Sequence, residues 1–227
     1  MNIRFLGHAC FLLQSGGSTV LIDPFLTGNP KAAASADEVQ ADAILLTHGH
    51  QDHYGDIVAI AKRTGATVVA ITEIAHEIQG DLGEDHQVFD PNMGGTVELP
   101  WGSVWVVPAW HTSTTPKGTV STPAGLVIQL GDERIYHLGD TALFSDLQHV
   151  KRRGRIDVAI MPIGGHYTMD RFDAVVAAEW VGADTVIPCH YDTFPPIESD
   201  AQAFKTDVQN AGASEVVVLA PGETHTT

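Results

Sequence analysis

Three histidines and an aspartate stand within the segment His48-Gly49-His50-Gln51-Asp52-His53, one residue after the apolar run Ala43 to Leu46. Imidazole and carboxylate are ligands that suit zinc, iron or manganese. Side by side they would be costly to desolvate without a cation. One ion is not expected to take all four. A short loop more readily gives His48 and His50 to one metal and Asp52 and His53 to a second. Each ion then needs ligands from elsewhere, and His111, Asp140 and His190 each sit just past the end of a predicted strand. A carboxylate has two oxygens, so Asp140 can bridge. Two ions roughly 3.5–4 Å apart can share a hydroxide, because a bound metal lowers the pKa of water to about 7. The chemistry expected is attack of that hydroxide on a carbonyl or phosphoryl centre, with Asp52 and Asp140 as the catalytic carboxylates.

Other residues are candidates through their placement. Asp23 ends an apolar strand as the ligands do, and metal-bound imidazoles commonly donate their second N–H to a carboxylate. The competing reading is a plain Asp-Pro turn with Pro24. His8 and His166 each follow a glycine at a strand end. His8 is read as a buried supporting histidine or a substrate contact. His166 is read as a catalytic or substrate-facing group, together with the backbone of Gly165. Tyr167, Tyr191 and Thr193 are candidate pocket walls. His76, His86, His149 and His225 read as surface, His137 and Cys189 as structural. The four tryptophans and the stripe Phe172, Val176, Trp180 read as core.

The elements that must position these groups follow from periodicity and turn residues. Ile3 to Phe5, Cys10 to Leu13 and Thr19 to Ile22 form a predicted meander with a hairpin at Gly16-Gly17. Ala43 to Leu46 is a buried strand that delivers the histidine motif. Ile57, Ile60 and Ala61 then recur at helical spacing, with Gly65 as the stop. Short strands are expected at 67–71, 88–89, 96–99 and 103–108, the last leading to Trp110-His111. In the second half, 126–130 and 134–138 form a hairpin at Gly131-Asp132. Ser145 is expected to cap a short helix, and Val158 to Ile163 to lead into Gly164-Gly165-His166. Asp170 should cap the next helix, and Thr185 to Ile187 precede His190. Ser199 with Gln202 reads as a capping box, 215–219 as a last strand, and Gly222 to Thr227 as a frayed tail. Asp42 to His50 echoes Asp157 to His166: strand, glycine, histidine, helix. The expectation is one α/β domain over 1–227, built from two similar halves of about 1–115 and 116–227, with sheets packed on each other and helices outside.

The 227 residues are ample for a large core, at 44% hydrophobic and 18% charged. A formal charge of -16 disfavours broad binding to nucleic acid or to an anionic membrane. Two cysteines far apart make no disulfide framework. Met1 to Arg4 runs straight into a strand pattern, and no apolar run approaches the ~20 residues of a membrane span. A cytoplasmic protein acting on a small molecule is expected, with self-association through sheet edges as an option.

The ordered set His48-x-His50-x-Asp52-His53, His111, Asp140, His190 resembles the metallo-β-lactamase-like hydrolase superfamily. The resemblance implies a four-layer αββα sandwich with a binuclear site at one edge. It assigns His48, His50 and His111 to metal one, Asp52, His53 and His190 to metal two, and Asp140 to both. Two divalent ions are implied, zinc first, with manganese, iron or nickel as the other options. Gly7-His8-Ala9-Cys10-Phe11, Leu21 to Phe25, Pro162 to Met169 and His190 to Pro195 are similar, more narrowly, to small metal-dependent hydrolases near the ascorbate-6-phosphate lactonase. The chain lacks the inserted cap of the RNA-processing branch. It has His50 where the di-iron flavoproteins have glutamate. The function expected is hydrolysis of a small ester, lactone or phosphoester. The alternatives are a phosphodiesterase or nuclease, a mononuclear iron oxygenase acting on sulfur, and a non-catalytic metal-binding protein.

Overall fold

The computed structural model describes residues 1–227 as two seven-stranded sheets with helices on both outer faces. The first sheet holds β1 (Asn2–Gly7), β2 (Cys10–Ser15), β3 (Ser18–Ile22), β4 (Ala43–Leu45), β5 (Thr67–Val69) and β6 (Val88–Phe89). The second holds β7 (Thr96–Leu99), β8 (Gly102–Pro108), β9 (Ala124–Leu130), β10 (Glu133–His137), β11 (Val158–Pro162), β12 (Thr185–Cys189) and β13 (Glu215–Val216). The last strand, β14 (Thr224–Thr226), returns to the first sheet beside β1.

Alternation along the strands makes the layers. Ile3, Phe5, Phe11, Leu13, Val20 and Ile22 meet Val104, Val106, Leu126, Ile128 and Ile160 between the sheets. The intervening residues Leu6, Leu12, Leu21 and Ile44 face α2 (Ile57–Thr64) and α3 (Thr72–Leu82). On the other side Tyr136, Ala159, Met161 and Val186 face α4 (Arg171–Val181) and α5 (Ala201–Ala211). Strands apolar on both faces, as β4 and β11 are, have this origin.

Both sheets share one strand plan. Reading from β14 and from β7, each has three antiparallel pairings followed by three parallel ones. The echoed segments around His48 and His166 follow β4 and β11, which hold the same place in this plan. The change of sheet lies between β6 and β7. Residue 115, where the expected division falls, is already inside the second sheet, between β8 and β9.

Several local expectations need correction. The tail is not frayed: Thr224 to Thr226 pair with Arg4 to Asn2 and cover an edge that would otherwise be open. Ser145 caps nothing. It begins a 3-10 segment (Ser145–Arg153) whose cap position is Phe144, and its hydroxyl goes to Asp146. The cap of α5 is Asp200, which accepts from the N–H groups of Gln202 and Ala203, so the Ser199 capping box does not form. In α4 the buried face is Ala174, Ala177, Ala178 and Val181, while Phe172 is 63% exposed. Trp110 is also exposed, at 68%, whereas Trp101, Trp105 and Trp180 are half-buried and pack against the cores as expected. The last strand of the second sheet stops at Val216. Asp170 does cap α4, accepting from Phe172 and Asp173 N–H, and α2 ends at a left-handed Gly65. No helix is long and apolar enough to cross a membrane.

Candidate metal centre

Strand ends from both sheets deliver the ligand-type side chains to one edge. His48 lies just past β4, with Asp52 and His53 in the short helix α1 (Gln51–Tyr54) behind it. His111 follows β8, Asp140 follows β10, and His190 follows β12 directly. Backbone bonds stitch the sheets together here: Ala124 N–H donates to Thr47 O at 2.9 Å and His190 N–H to His8 O at 2.8 Å. Gly49 is required by close approach, because a Cβ there would lie 2.9 Å from the Thr115 methyl, and its N–H donates to the Ser113 hydroxyl. Gly139 sets the turn before Asp140 at φ 66, with the Ala124 carbonyl 2.6 Å from where a Cβ would stand.

The chain's five non-glycine residues with positive φ are His8, Asp23, His166, His190 and Asp192. All follow strands at this same edge. Such backbone strain persists only where surroundings enforce it, and it clusters at functional sites.

The seven expected ligands converge as two sets around one carboxylate. His48 Nε2 is 3.1 Å from His50 Nδ1, and these two with His111 form one candidate set. Asp52, His53 and His190 form another, joined by His8. Asp140 stands between. Its Oδ1 is 3.3 Å from His53 Nε2, and its Oδ2 is 3.0 Å from His190 Nε2, 3.5 Å from His111 Nε2 and 3.9 Å from His48 Nε2. The Nε2 atoms of His53 and His190 are buried with no hydrogen-bond partner. Buried polar atoms are rarely left this way, and a cation between them and Asp140 would satisfy both. The donors are nitrogen and oxygen only. Cys10 and Cys189 are buried and their thiols are pushed up by burial, so neither offers a thiolate.

Behind the ligands, Asp23 is fully buried and organises two imidazoles. Its Oδ2 accepts from His53 Nδ1 at 2.7 Å and from the Thr47 hydroxyl at 2.6 Å, and its Oδ1 accepts from Thr47 N–H. The Thr47 hydroxyl, its proton committed to Asp23, accepts from His48 Nδ1 at 3.0 Å. Both rings thus carry a proton on Nδ1 and turn Nε2 toward the site. Asp23 is therefore a supporting carboxylate rather than only a turn residue. Thr47 was missed from the sequence, although a hydroxyl closing an apolar strand beside a histidine was a usable signal.

His8 plays the corresponding part for Asp52. Its Nε2 donates to Asp52 Oδ2 at 3.1 Å and its Nδ1 accepts from the Thr193 hydroxyl at 2.9 Å. Burial, then the neighbouring His190, lower its pKa to about 4, so the ring is neutral at pH 7. Burial alone would raise the Asp52 carboxyl. The hydrogen bond from His8 and the adjacent His53 carry it below the usual carboxylate range. Asp140 is held well below that range as well, because His190 and His53 outweigh its burial. Burial depresses His48, His50 and His111. His53 goes the other way: burial opposes its charge, but Asp140 and Asp23 on its two nitrogens raise it well above the ordinary value. In the metal-free chain the two carboxylates favour a proton on each nitrogen of His53, and a cation held by His53 would displace the one on Nε2.

The remaining candidates divide. Tyr167 lines the cleft over the ligands. His166 is exposed, stands edge-on to the Tyr167 ring at 4.5 Å, and is not among the cleft-lining residues. Gly165, at φ 65, shapes the loop and bonds Met169 O. Tyr191 faces a separate cavity of about 310 Å³ behind His8. His137 is structural, donating to Ala9 O and accepting from Gly139 N–H. Phe25 and Phe194, which wall the cleft, had no role assigned from sequence.

A model of the beta-lactamase superfamily domain matches residues 2–190. A UPF0173 metal-dependent hydrolase of Methanopyrus kandleri is 46% identical over 230 residues, covering 99% of each chain. One from Thermus thermophilus is 46% identical over 226 residues, covering 98% of this chain and 97% of its own. The structure of Igni18, a metallo hydrolase of Ignicoccus hospitalis, superposes with a TM-score of 0.91 at 35% identity, covering 100% of this chain and 97% of that one. The chain belongs to the metallo-β-lactamase superfamily, within its UPF0173 metal-dependent hydrolases. It is a metal-dependent hydrolase, and the two-sheet sandwich expected from the ligand motif is the fold it has.

Proposed function

We propose that the centre is binuclear, zinc first among the divalent ions, and that it hydrolyses a small ester, lactone or phosphoester. The observation that carries this reading is the position of Asp140, whose two oxygens face His53 on one side and His190, His111 and His48 on the other. His48, His50 and His111 would hold one ion and Asp52, His53 and His190 the second. When bound, such a pair supplies an activated water and a Lewis acid for the oxygen that becomes negative.

The chain's own residues do the rest. Asp23, through Thr47 and directly, keeps His48 and His53 in the ligating tautomer. His8 fixes one oxygen of Asp52 and so its orientation. The cleft above, of about 610 Å³, admits a small substrate and remains open to solvent on the side of Tyr167 and Pro196. Any homo-oligomer formed through sheet edges would leave this chemistry within each chain, because all seven ligands come from one.

The test is metal analysis of protein purified without chelator, followed by turnover of matched esters, lactones and phosphoesters. Two divalent ions per chain with metal-dependent hydrolysis supports the proposal. One iron per chain with oxygen consumption on a thiol substrate would favour the sulfur oxygenase instead.

A further inference from the structure

Apart from the ligands, the cleft is walled by Phe25, Gln51, Thr112, Tyr167, Phe194 and Pro196. No lysine or arginine lines it, in a chain that holds only 12 of them against 28 acidic residues. Its neutral polar groups are an amide, a hydroxyl and a phenol, and its apolar surface is mostly aromatic. That surface is fixed in place. Phe25 is 7% exposed, its ring lies 6.4 Å from that of Phe194, and both rings pack on His8 at 5.7 and 5.6 Å. The aromatic wall therefore starts beside Asp52, the ligand that His8 holds, and runs outward.

Two consequences follow for what fits. An anionic handle away from the scissile bond needs a cation or a fork of donors to offset its desolvation. Here it would meet none, in a chain of formal charge -16. An apolar arm, in contrast, is stabilised by every methylene it lays on Phe25 and Phe194. Positive charge in the cleft would come only from metal held by the ligands at its floor.

We propose that the substrate is an uncharged carboxylic ester or lactone whose apolar arm rests on Phe25 and Phe194. This inference rests on the metal-hydrolase reading above. In the reaction, water adds its oxygen to the acyl carbon, the acyl C–O bond breaks, and the proton leaves with the alcohol, so no oxidant or reductant is required. A phosphorylated lactone, such as the name ascorbate-6-phosphate lactonase describes, would carry a charge this cleft does not receive.

The experiment uses the zinc-loaded chain with p-nitrophenyl acetate, butyrate and octanoate beside p-nitrophenyl phosphate and bis(p-nitrophenyl) phosphate. The kcat/KM should rise roughly two- to fourfold per added methylene and exceed that of either phosphate by about a hundredfold. Phe194→Ala should lower the octanoate-to-acetate ratio by about tenfold. Pro196→Arg, at an exposed rim position, supplies the missing cation and should raise p-nitrophenyl succinate relative to butyrate. A flat response to acyl length, or preference for bis(p-nitrophenyl) phosphate, would overturn the proposal. Calorimetry with acetohydroxamate and octanohydroxamate reads the arm separately from turnover. Tighter octanohydroxamate binding that weakens in Phe194→Ala supports the apolar wall even if the ester panel fails, a failure that would then count against the hydrolytic reading. Equal binding of the two hydroxamates sinks the wall itself.

Discussion

Asp23 Oδ2 accepts a hydrogen bond from His53 Nδ1 at 2.7 Å, with neither side chain exposed to solvent. Through this one carboxylate and the Thr47 hydroxyl, a ligand of each expected metal set is held with its Nε2 turned toward the site. Asp23→Ala leaves the Thr47 N–H, the Thr47 hydroxyl and His53 Nδ1 without their buried acceptor. The expected cost is about 3 kcal/mol of stability and a loss of roughly 10–100-fold in metal affinity. Denaturant unfolding with and without chelator, and competition against a chromophoric chelator, measure the two effects. Unchanged affinity would mean that Asp23 is only a turn residue.

His8 touches only the second ligand set, through Asp52. His8→Ala should therefore weaken one ion and spare the other, about tenfold at the set of Asp52, His53 and His190. Stepwise metal titration resolves this as one displaced phase out of two. His8→Gln, which can still donate to Asp52, should recover part of the loss. Equal weakening of both phases would argue that His8 acts by general packing, as its contacts with Phe25 and Phe194 would allow.

The protonation directions set the pH dependence. In the metal-free chain His53 has a folded pKa raised above its unfolded value, because Asp140 and Asp23 outweigh burial. Its contribution to stability is fully present below the unfolded value of about 6.5 and is lost as pH rises through the folded one. Metal must displace that same proton, so affinity should fall as pH is lowered. Asp140, depressed by His190 and His53, adds stability above the unfolded carboxylate value that is lost as pH falls through the folded one. Chelator competition at about pH 6 and about pH 8 should show the weaker binding at the lower pH, with proton release on zinc addition visible in weakly buffered solution. Binding independent of pH would contradict the His53 assignment.

Much of the centre was legible because the ligands are either adjacent in sequence or placed directly after apolar strands. His48 to His53 show themselves by density, and His111, Asp140, His190 and Asp23 by position. The supporting roles of Thr47 and His8 depend on which atom meets which across the two sheets, and spacing does not encode that. The stripe Phe172, Val176, Trp180 misled in part, since Trp180 packs on the core while Phe172 is exposed, and the reason is definite. The set Ala174, Ala177, Ala178, Val181 has helical periodicity too, and α4 lies against β11 and α5 on its alanine face. Periodicity cannot choose between two such faces when close packing favours the smaller residues. The tail was misread because its pairing partner, β1, lies at the far end of the chain. His166 shared the glycine-histidine signature of His8, yet its loop turns the ring to solvent.

The central claim is that Asp140 joins two ions in one centre. The most direct measurement is metal content per chain, by elemental analysis, for the wild type and Asp140→Ala prepared side by side with folding checked by circular dichroism. The account predicts two divalent ions per wild-type chain, a folded variant retaining well under one, and loss of metal-dependent turnover in that variant. A single ion in the wild type, or unchanged metal content with full activity in Asp140→Ala, would contradict it.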